Sequence, residues 1–379
     1  MKRLFTAAPR VLACALSTAL LLAACSSDKP KPTPLESITP QIAGRQVWAT
    51  RIDGAAPGLI VAAREGEFTV AAADGTVLTL EAGSGRELWR GSAGARLSAA
   101  VGSDGRFVAV VTRDNEVVVL ERGQGAGVKW RARLNSRVST APLVAGERVF
   151  VMGVDRVVSA FDALDGRLLW TLQRPGEALT LSQPGVVAAF NDTLLVGQGQ
   201  RLTGVDPLRG TVRWEVALAN PRGTNEVERL SDLTGPVLRI GDVVCARSFQ
   251  VGVGCANAQA ATLVWTKSVG GVQAIGGDAQ LVVGADASDR ITAWRAETGD
   301  LAWNNENLRY RGLSGPLVLG RTVIFGDAEG QVHFLDRADG KTLLRLPTDG
   351  SPVVGVPVRS GNTLLVVTRN GGLFAFRPE

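Results

Sequence analysis

Along most of this chain, apolar residues come in short β-branched bursts separated by breaks rich in Gly and Asp. Ser139 to Trp170 shows the unit: Ser-Thr-Ala-Pro-Leu-Val-Ala-Gly-Glu-Arg, then Val-Phe-Val-Met-Gly, then Arg-Val-Val-Ser-Ala-Phe-Asp-Ala-Leu-Asp-Gly-Arg-Leu-Leu-Trp. Runs of this kind, bounded by turn residues, predict four short antiparallel strands. The last break has the form Asp-x-x-x-Gly-x-x-x-Trp. It recurs as Asp162-Gly166-Trp170 and Asp206-Gly210-Trp214, loosely as Arg295-Gly299-Trp303, and as Asp336-Gly340-Leu344 without the indole. Its glycine supplies the positive-φ position of a tight hairpin between the third and fourth strands. The region after the N-terminal stretch holds no long amphipathic segment of helical period.

The closing tryptophan sets the scale of the repeat. Trp48, Trp89, Trp130, Trp170, Trp214, Trp265 and Trp303 are 41, 41, 40, 44, 51 and 38 residues apart, and a further step of 41 lands on Leu344. A fixed period of this size with four strands per unit is the spacing of a β-propeller blade. Eight fourth-strand endings are visible, but only a polar, proline-rich stretch precedes Trp48. After Leu344 come three strands without a fourth: Ser351-Pro352-Val353-Val354, Thr363-Leu364-Leu365-Val366-Val367 and Gly372-Leu373-Phe374-Ala375-Phe376. The strand holding Val47 and Trp48 is therefore expected to complete the last blade and remove the free edges of the ring. The predicted fold is all-β: an eight-bladed propeller over residues 43–379, with four antiparallel strands per blade. A length of 379 residues would allow two or three domains. No linker interrupts the repeats, though, and each blade packs only on its neighbours. Forty-five glycines and 45% apolar residues suit many strands and turns, and 20% charge argues against disorder.

The N-terminus reads differently. Lys2, Arg3 and Arg10 precede an apolar run from Val11 to Ala24 that ends Leu22-Ala23-Ala24-Cys25. The run is short for a stable transmembrane helix and ends in small residues, as a cleaved signal does. Leu-Ala-Ala-Cys resembles the bacterial lipobox. The resemblance implies a signal peptide over 1–24 and a lipidated Cys25 as first mature residue; the alternative is an ordinary cleaved signal with a coincidental cysteine. Ser26, where an Asp is absent, implies sorting to the outer membrane by resemblance to Gram-negative lipoproteins. Residues 25–42, with Pro30, Pro32 and Pro34, read as a lipidated, extended tether. From Ser26 to Gln41 it reaches roughly 50 Å at about 3.1 Å per residue. Two or more acyl chains would hold stably at the membrane.

Charge changes with this processing. Residues 1–24 carry three basic and no acidic side chains, so a net +5 becomes +5 − 3 = +2, and a nucleic-acid role loses its support. Of four cysteines, Cys14 leaves with the signal and Cys25 is the lipid site. Cys245 and Cys255 flank a turn around Gln250, which places them opposite each other on the second and third strands of one blade. An oxidising compartment permits a disulfide there; two buried free thiols are the alternative.

Candidate chemistry is sparse. Blades ending Asp-x-x-x-Gly-x-x-x-Trp resemble the pyrroloquinoline-quinone dehydrogenase repeat, which makes a periplasmic quinoprotein dehydrogenase the competing reading. That family implies a calcium site of carboxylates and amides, a catalytic Asp and a vicinal Cys-Cys pair. No adjacent cysteines occur here, and no Glu/Asn/Asp set stands apart from the repeat. His333 is the sole histidine, on a predicted strand, and one His does not make a zinc site. No phosphate loop or Ser/His/Asp set is present. No cofactor, metal or catalytic residue is expected, and the chain reads as a non-enzyme.

The departures from the repeat say more. Pro142, Pro184, Pro236 and Pro316 each precede a blade ending by 28 to 30 residues, and the stretch from the previous tryptophan grows from 12 residues at Pro142 to 14 at Pro184 and 22 at Pro236. The two longer connections emerge on one rim from adjacent blades. The insertion from Ala217 to Thr234 is charged and holds Val227, Leu230 and Leu233 at helical spacing, which suits a short ordered element presenting a binding edge. With the lipobox and the eightfold repeat, Thr224-Asn225-Glu226-Val227-Glu228-Arg229-Leu230-Ser231-Asp232 resembles the BamB family, lipoprotein subunits of the β-barrel assembly machinery. The resemblance spans the whole chain. It implies a non-catalytic scaffold of the BAM complex that binds the periplasmic POTRA domains of BamA and assists insertion of outer-membrane β-barrels, with unfolded barrel proteins as possible further partners. Its interface would use this loop and Glu177-Ala178-Leu179-Thr180-Leu181-Ser182. Leu179 and Leu181 would be apolar anchors, with Arg229 and Asp232 orienting the partner. Ser182 stands where an Arg is often found, and Thr234 where an acidic residue is common. The plainer reading is that Leu179 and Leu181 cover the blade beneath them.

Overall fold

The computed structural model describes residues 30–123, 127–174, 181, 183–220 and 231–378. Among these, thirty-two strands form eight four-stranded antiparallel sheets, and no helix occurs. Blades one to seven follow chain order, over 62–92, 97–133, 143–172, 187–217, 233–267, 276–305 and 317–347. Blade eight takes Val353–Ser360, Thr363–Thr368 and Gly372–Pro378 from the C-terminal end and Gly44–Arg51 from the N-terminal side. Gly44 faces Pro378 and Arg51 faces Gly372, so the expected ring closure is present.

Burial follows strand position. The middle strands, such as Phe107–Thr112, are buried on both faces between neighbouring blades, whereas the outer Gly127–Arg133 is mostly exposed apart from Trp130. Each outer strand carries a bulge beside its key residue. Trp89 faces Thr79 while Glu87 faces Leu80, leaving Leu88 extra, and the same skip recurs in the following six blades. A bulge re-aims a side chain, and here it turns the indole towards the next blade. The residue facing each indole is mostly small: Ala160, Gly204, Cys255, Ala293 and Ala375.

The indole then meets the next blade's Asp-x-x-x-Gly turn. Trp48, Trp130, Trp170, Trp265 and Trp303 donate Nε1–H to the carbonyls of Ala82, Ala163, Pro207, Ala296 and Arg337, at 2.8 to 3.0 Å. Each ring lies on that turn's glycine. Gly340 has φ 75°, and a methyl there would sit 2.5 Å from the Trp303 ring. Glycine is required twice over, by the left-handed backbone and by the ring. The Asp of the turn closes it locally: Asp162 Oδ1 accepts the Leu164 amide at 2.8 Å, and the Gly166 amide donates to the Asp162 carbonyl at 3.0 Å. Trp214 departs from the pattern. Blade five's turn has Ala261 in place of glycine, and Trp214 lies over Gly204 of its own blade.

The Cys245 and Cys255 sulfurs are joined in a disulfide across directly opposed residues of blade five, with Cα atoms 4.0 Å apart. Cys255 is also the small residue beneath Trp265.

The N-terminal segment departs from a free tether. From Thr33 it is held against blade seven: the Thr33 amide donates to the Arg309 carbonyl, Arg345 Nη1 to the Glu36 carbonyl, and the Gln41 amide to the Leu343 carbonyl. Leu35 packs on the cluster between blades six and seven. The expected free reach to Gln41 therefore does not include residues 33–41, which lie on the ring. A buried charged group backs this contact. Arg311 donates Nη1–H to the Thr33 carbonyl at 3.0 Å and Nε–H to Asp327 Oδ2 at 2.8 Å, and the same oxygen lies 2.9 Å from His333 Nε2. Burial pushes the Asp327 carboxyl up, but hydrogen bonds from His333, the Gln331 amide and Arg311 outweigh it and hold it below the usual range. Burial pushes the His333 imidazole down, against the pull of Asp327 and with the help of the Arg345 and Arg311 charges.

Two predictions follow from this geometry. Gly320 also has positive φ but open space around it, so Gly320→Ala should cost only the left-handed strain of about 1–2 kcal/mol. Gly340→Ala must also displace Trp303, adding a further ~1–3 kcal/mol; equal denaturant midpoints for the two variants would refute the joint. For His333, the unfolded imidazole takes up a proton near pH 6.5 and the folded one only at lower pH. Stability is thus complete above that value and declines as pH falls through the folded value, with Asp327 adding loss only in stronger acid. The urea midpoint should drop between about pH 7 and pH 5 in the wild type and drop less in His333→Gln.

Candidate functional site

Strand direction alternates within each blade. Connections from an outer strand to the next inner strand therefore share one rim with the turns between second and third strands. This loop rim lies opposite the hairpin rim, which carries the Asp-x-x-x-Gly turns. On the loop rim, the connections spanning 93–96 and 348–352 are short, whereas those spanning 173–186 and 218–232 are the longest and arise from neighbouring blades.

Asp232 ties these two connections together. Its Oδ1 accepts Arg156 Nη2–H at 3.0 Å, and its Oδ2 accepts the Leu181 amide at 3.0 Å. Arg156 belongs to the second-to-third turn of blade three, with φ 62°. The neighbouring Ser231 is buried, and its carbonyl accepts the Ser248 hydroxyl at 2.7 Å. Asp232 and Arg156 are only 20% and 16% exposed, so the carboxylate is committed within the rim and fixes one connection against the other. Leu181 is half-buried over a small cavity of about 40 Å³ walled by Met152, Pro184 and Leu233.

Of the other anticipated residues, Leu179, Ser182 and Arg229 lie outside the described residues, as do Val227, Leu230 and Cys25. Leu233 and Thr234 are not loop residues: both are buried in the inner strand Leu233–Ile240 of blade five, and the helical spacing drawn through Leu233 does not hold. Tertiary packing against Val186 and Leu195 claims Leu233 for the core. Thr234 faces Arg247, which is fully buried and bonded to the Val269 and Ala285 carbonyls at 2.9 Å. Burial lowers the Arg247 guanidinium to about 10, which leaves it cationic at neutral pH. A carboxylate at 234 would stand opposite this cation; with Thr there, backbone carbonyls take its place. Arg156 was not legible in the sequence, since its partner lies 76 residues away.

The ring encloses an open central cavity of about 690 Å³, lined by segments 55–61, 272–274 and 354–358 with Pro184 and Pro236. No Asp or Glu is among the described residues lining it. Calcium needs oxygen ligands that include carboxylates, so this wall does not fit the quinone–calcium site of the dehydrogenases.

A closed eight-bladed ring with its longest connections gathered on one rim places the chain in the class of eight-bladed β-propellers. The chain belongs to the family described as outer membrane protein assembly factor BamB, whose model matches residues 73–305 and 306–379. It is 36% identical over 374 residues to the outer membrane protein assembly factor BamB of Burkholderia pseudomallei, covering 97% of each chain. It is 34% identical to that of Bordetella pertussis, over 96% of this chain and 95% of the relative. The crystal structure of BamB from Moraxella catarrhalis superposes with a TM-score of 0.79 at 22% identity, covering 88% of this chain and 99% of that one, a likeness of fold.

Removing the Asp232 carboxylate should free the Leu181 amide. In Asp232→Ala its hydrogen exchange should accelerate about tenfold or more, in line with the ~1.5–3 kcal/mol of a charge-assisted hydrogen bond. Arg156→Ala should produce a smaller rise, and amides of the blade cores should not change. Unchanged exchange at Leu181 would show that Asp232 does not couple the two connections.

Proposed function

We propose that this protein is a non-catalytic scaffold of the BAM complex, that it binds the POTRA domains of BamA through the loop rim of blades three to five, and that it assists the folding and insertion of outer-membrane proteins. The single observation carrying the interface is that the two longest connections of the ring arise side by side and are cross-tied by Asp232. Preorganised loops bind with less ordering cost than free ones. Leu179, Leu181 and Arg229 are the proposed contacts, and Asp232 sets their relative position. The protein works at the outer membrane, held there by lipid on Cys25 and facing the periplasm. The similar protein of Burkholderia pseudomallei is an outer membrane protein assembly factor, which supports the assembly role, and the lack of carboxylates among the described residues lining the channel speaks against the dehydrogenase alternative.

The test is binding of the purified ring to a soluble POTRA fragment. Leu179→Ala with Leu181→Ala, Arg229→Ala and Asp232→Ala should each weaken affinity about 30-fold, the equivalent of a ~2 kcal/mol hot-spot loss. Leu208→Ala, an exposed position on the hairpin rim, should change nothing. Unaltered affinity in all three variants would overturn the surface.

A further inference from the structure

The joint between blades seven and eight differs from the others. Leu344 occupies the indole position there, and the facing turn is replaced by the two ends of the ring. Gly44 lies four residues before Trp48, as Gly340 lies before Leu344 and Gly166 before Trp170, and a methyl on Gly44 would meet Leu344 Cδ2 at 3.0 Å. The seam is thus the same joint with its indole missing. Phe334 faces Leu344, where other blades place a smaller residue beneath the ring, and offsets only part of the loss. An open cavity of about 280 Å³ remains, walled by Ile42, Ile324, Phe334, Leu344, Leu346 and Phe376.

The repeat itself shows what such a space accepts. At the intact joints the indole N–H reaches the carbonyl three residues beyond the one facing the blade's own closing residue. Ala163 follows Ala160 in this way, and Arg337 follows Phe334. Ala375 faces Trp48, so the counterpart acceptor here is the carbonyl of Pro378, which lines the cavity. Three arginines, Arg321, Arg359 and Arg377, stand at its edge. Arg321 pairs with Asp336. Among the described residues, Arg377 bonds only neutral oxygens, those of Thr363 and Gly83, and Arg359 has no carboxylate partner.

We propose that this seam binds an aromatic side chain flanked by acidic residues on a partner polypeptide. The ring fills the cavity that Leu344 leaves open beside the indole position, with an indole N–H directed at the Pro378 carbonyl, while the neighbouring carboxylates meet Arg359 and Arg377. The lining turns 319–322 and 359–362 and the strand ends Gly44 and Pro378 belong to the hairpin rim, so this partner and one on the loop rim bind together without competing.

The experiment uses the complete mature protein with methyl-labelled Ile and Leu, titrated with the peptide acetyl-Glu-Trp-Glu-amide. Saturable shifts are expected at Ile42, Ile324 and Leu344. The Ala-centred peptide and the Lys-flanked Trp peptide should bind at least tenfold more weakly. Phe334→Ala with Leu344→Trp restores the pairing that blades six and eight use (Ala293 with Trp303, Ala375 with Trp48) and should abolish binding without lowering the melting temperature. Arg359→Glu, at an exposed site, tests the charge independently of that repacking and should weaken binding about tenfold. Absence of saturable shifts in the wild type, or undiminished affinity in Arg359→Glu, overturns the proposal, as does binding that survives in a folded Phe334→Ala/Leu344→Trp variant.

Discussion

The structure depends on one contact made again and again: an indole from one blade lying flat on the glycine of the next blade's turn and donating its N–H to a carbonyl beside it. Each part has a separate cause. The bulge before the tryptophan aims the ring outward from its own sheet. A compact residue beneath leaves room for it, and the positive-φ glycine lets the neighbouring backbone approach. The hydrogen bond satisfies a polar group that burial would otherwise penalise. Large aromatic side chains lost from such sites typically cost about 3–5 kcal/mol. Because every blade touches only its two neighbours, these joints carry the cohesion of the ring in series.

A ring of serial joints must close, and closure is where the rule bends. The last blade borrows its outer strand from the N-terminal side, so one joint lacks both its hairpin and its tryptophan. The Phe334–Leu344 pair takes over part of the volume. The segment from Thr33 to Gln41 then runs along blade seven and is secured by Arg311, whose charge is balanced inside by Asp327. Burying such a pair costs desolvation, offset here by the hydrogen bonds that converge on Asp327. The result fixes where the N-terminal segment leaves the ring: on the loop rim, beside Arg309 and Arg311.

On that rim, a carboxylate that reads in sequence as a partner contact is an internal tie. Asp232 spends both oxygens on Arg156 and Leu181. Its contribution to binding is therefore to hold two connections in one arrangement, which limits the ordering cost when a partner docks.

The sequence by itself determined the architecture. A period near 41, the Asp-x-x-x-Gly turns and the three unpaired strands after Leu344 required eight blades and closure by the Trp48 strand, because local turn chemistry and alternating burial act over a few residues and repeat without change. It also placed Cys245 opposite Cys255, since hairpin register is set by the turn between them. Only the tertiary structure decided which residues the interblade packing claims. Leu233 and Thr234 look like loop in the chain but are buried strand. Asp232 finds its partner 76 residues away. The proline-rich stretch reads as free tether, yet from Thr33 it lies on blade seven. Missing one indole at Leu344 is visible in the sequence as a broken repeat, but whether Phe334 would fill the space or leave a cavity depended on how two blades meet at the seam. Contacts between distant segments carry no local signature, and the side chains that make them are the ones the sequence leaves undecided.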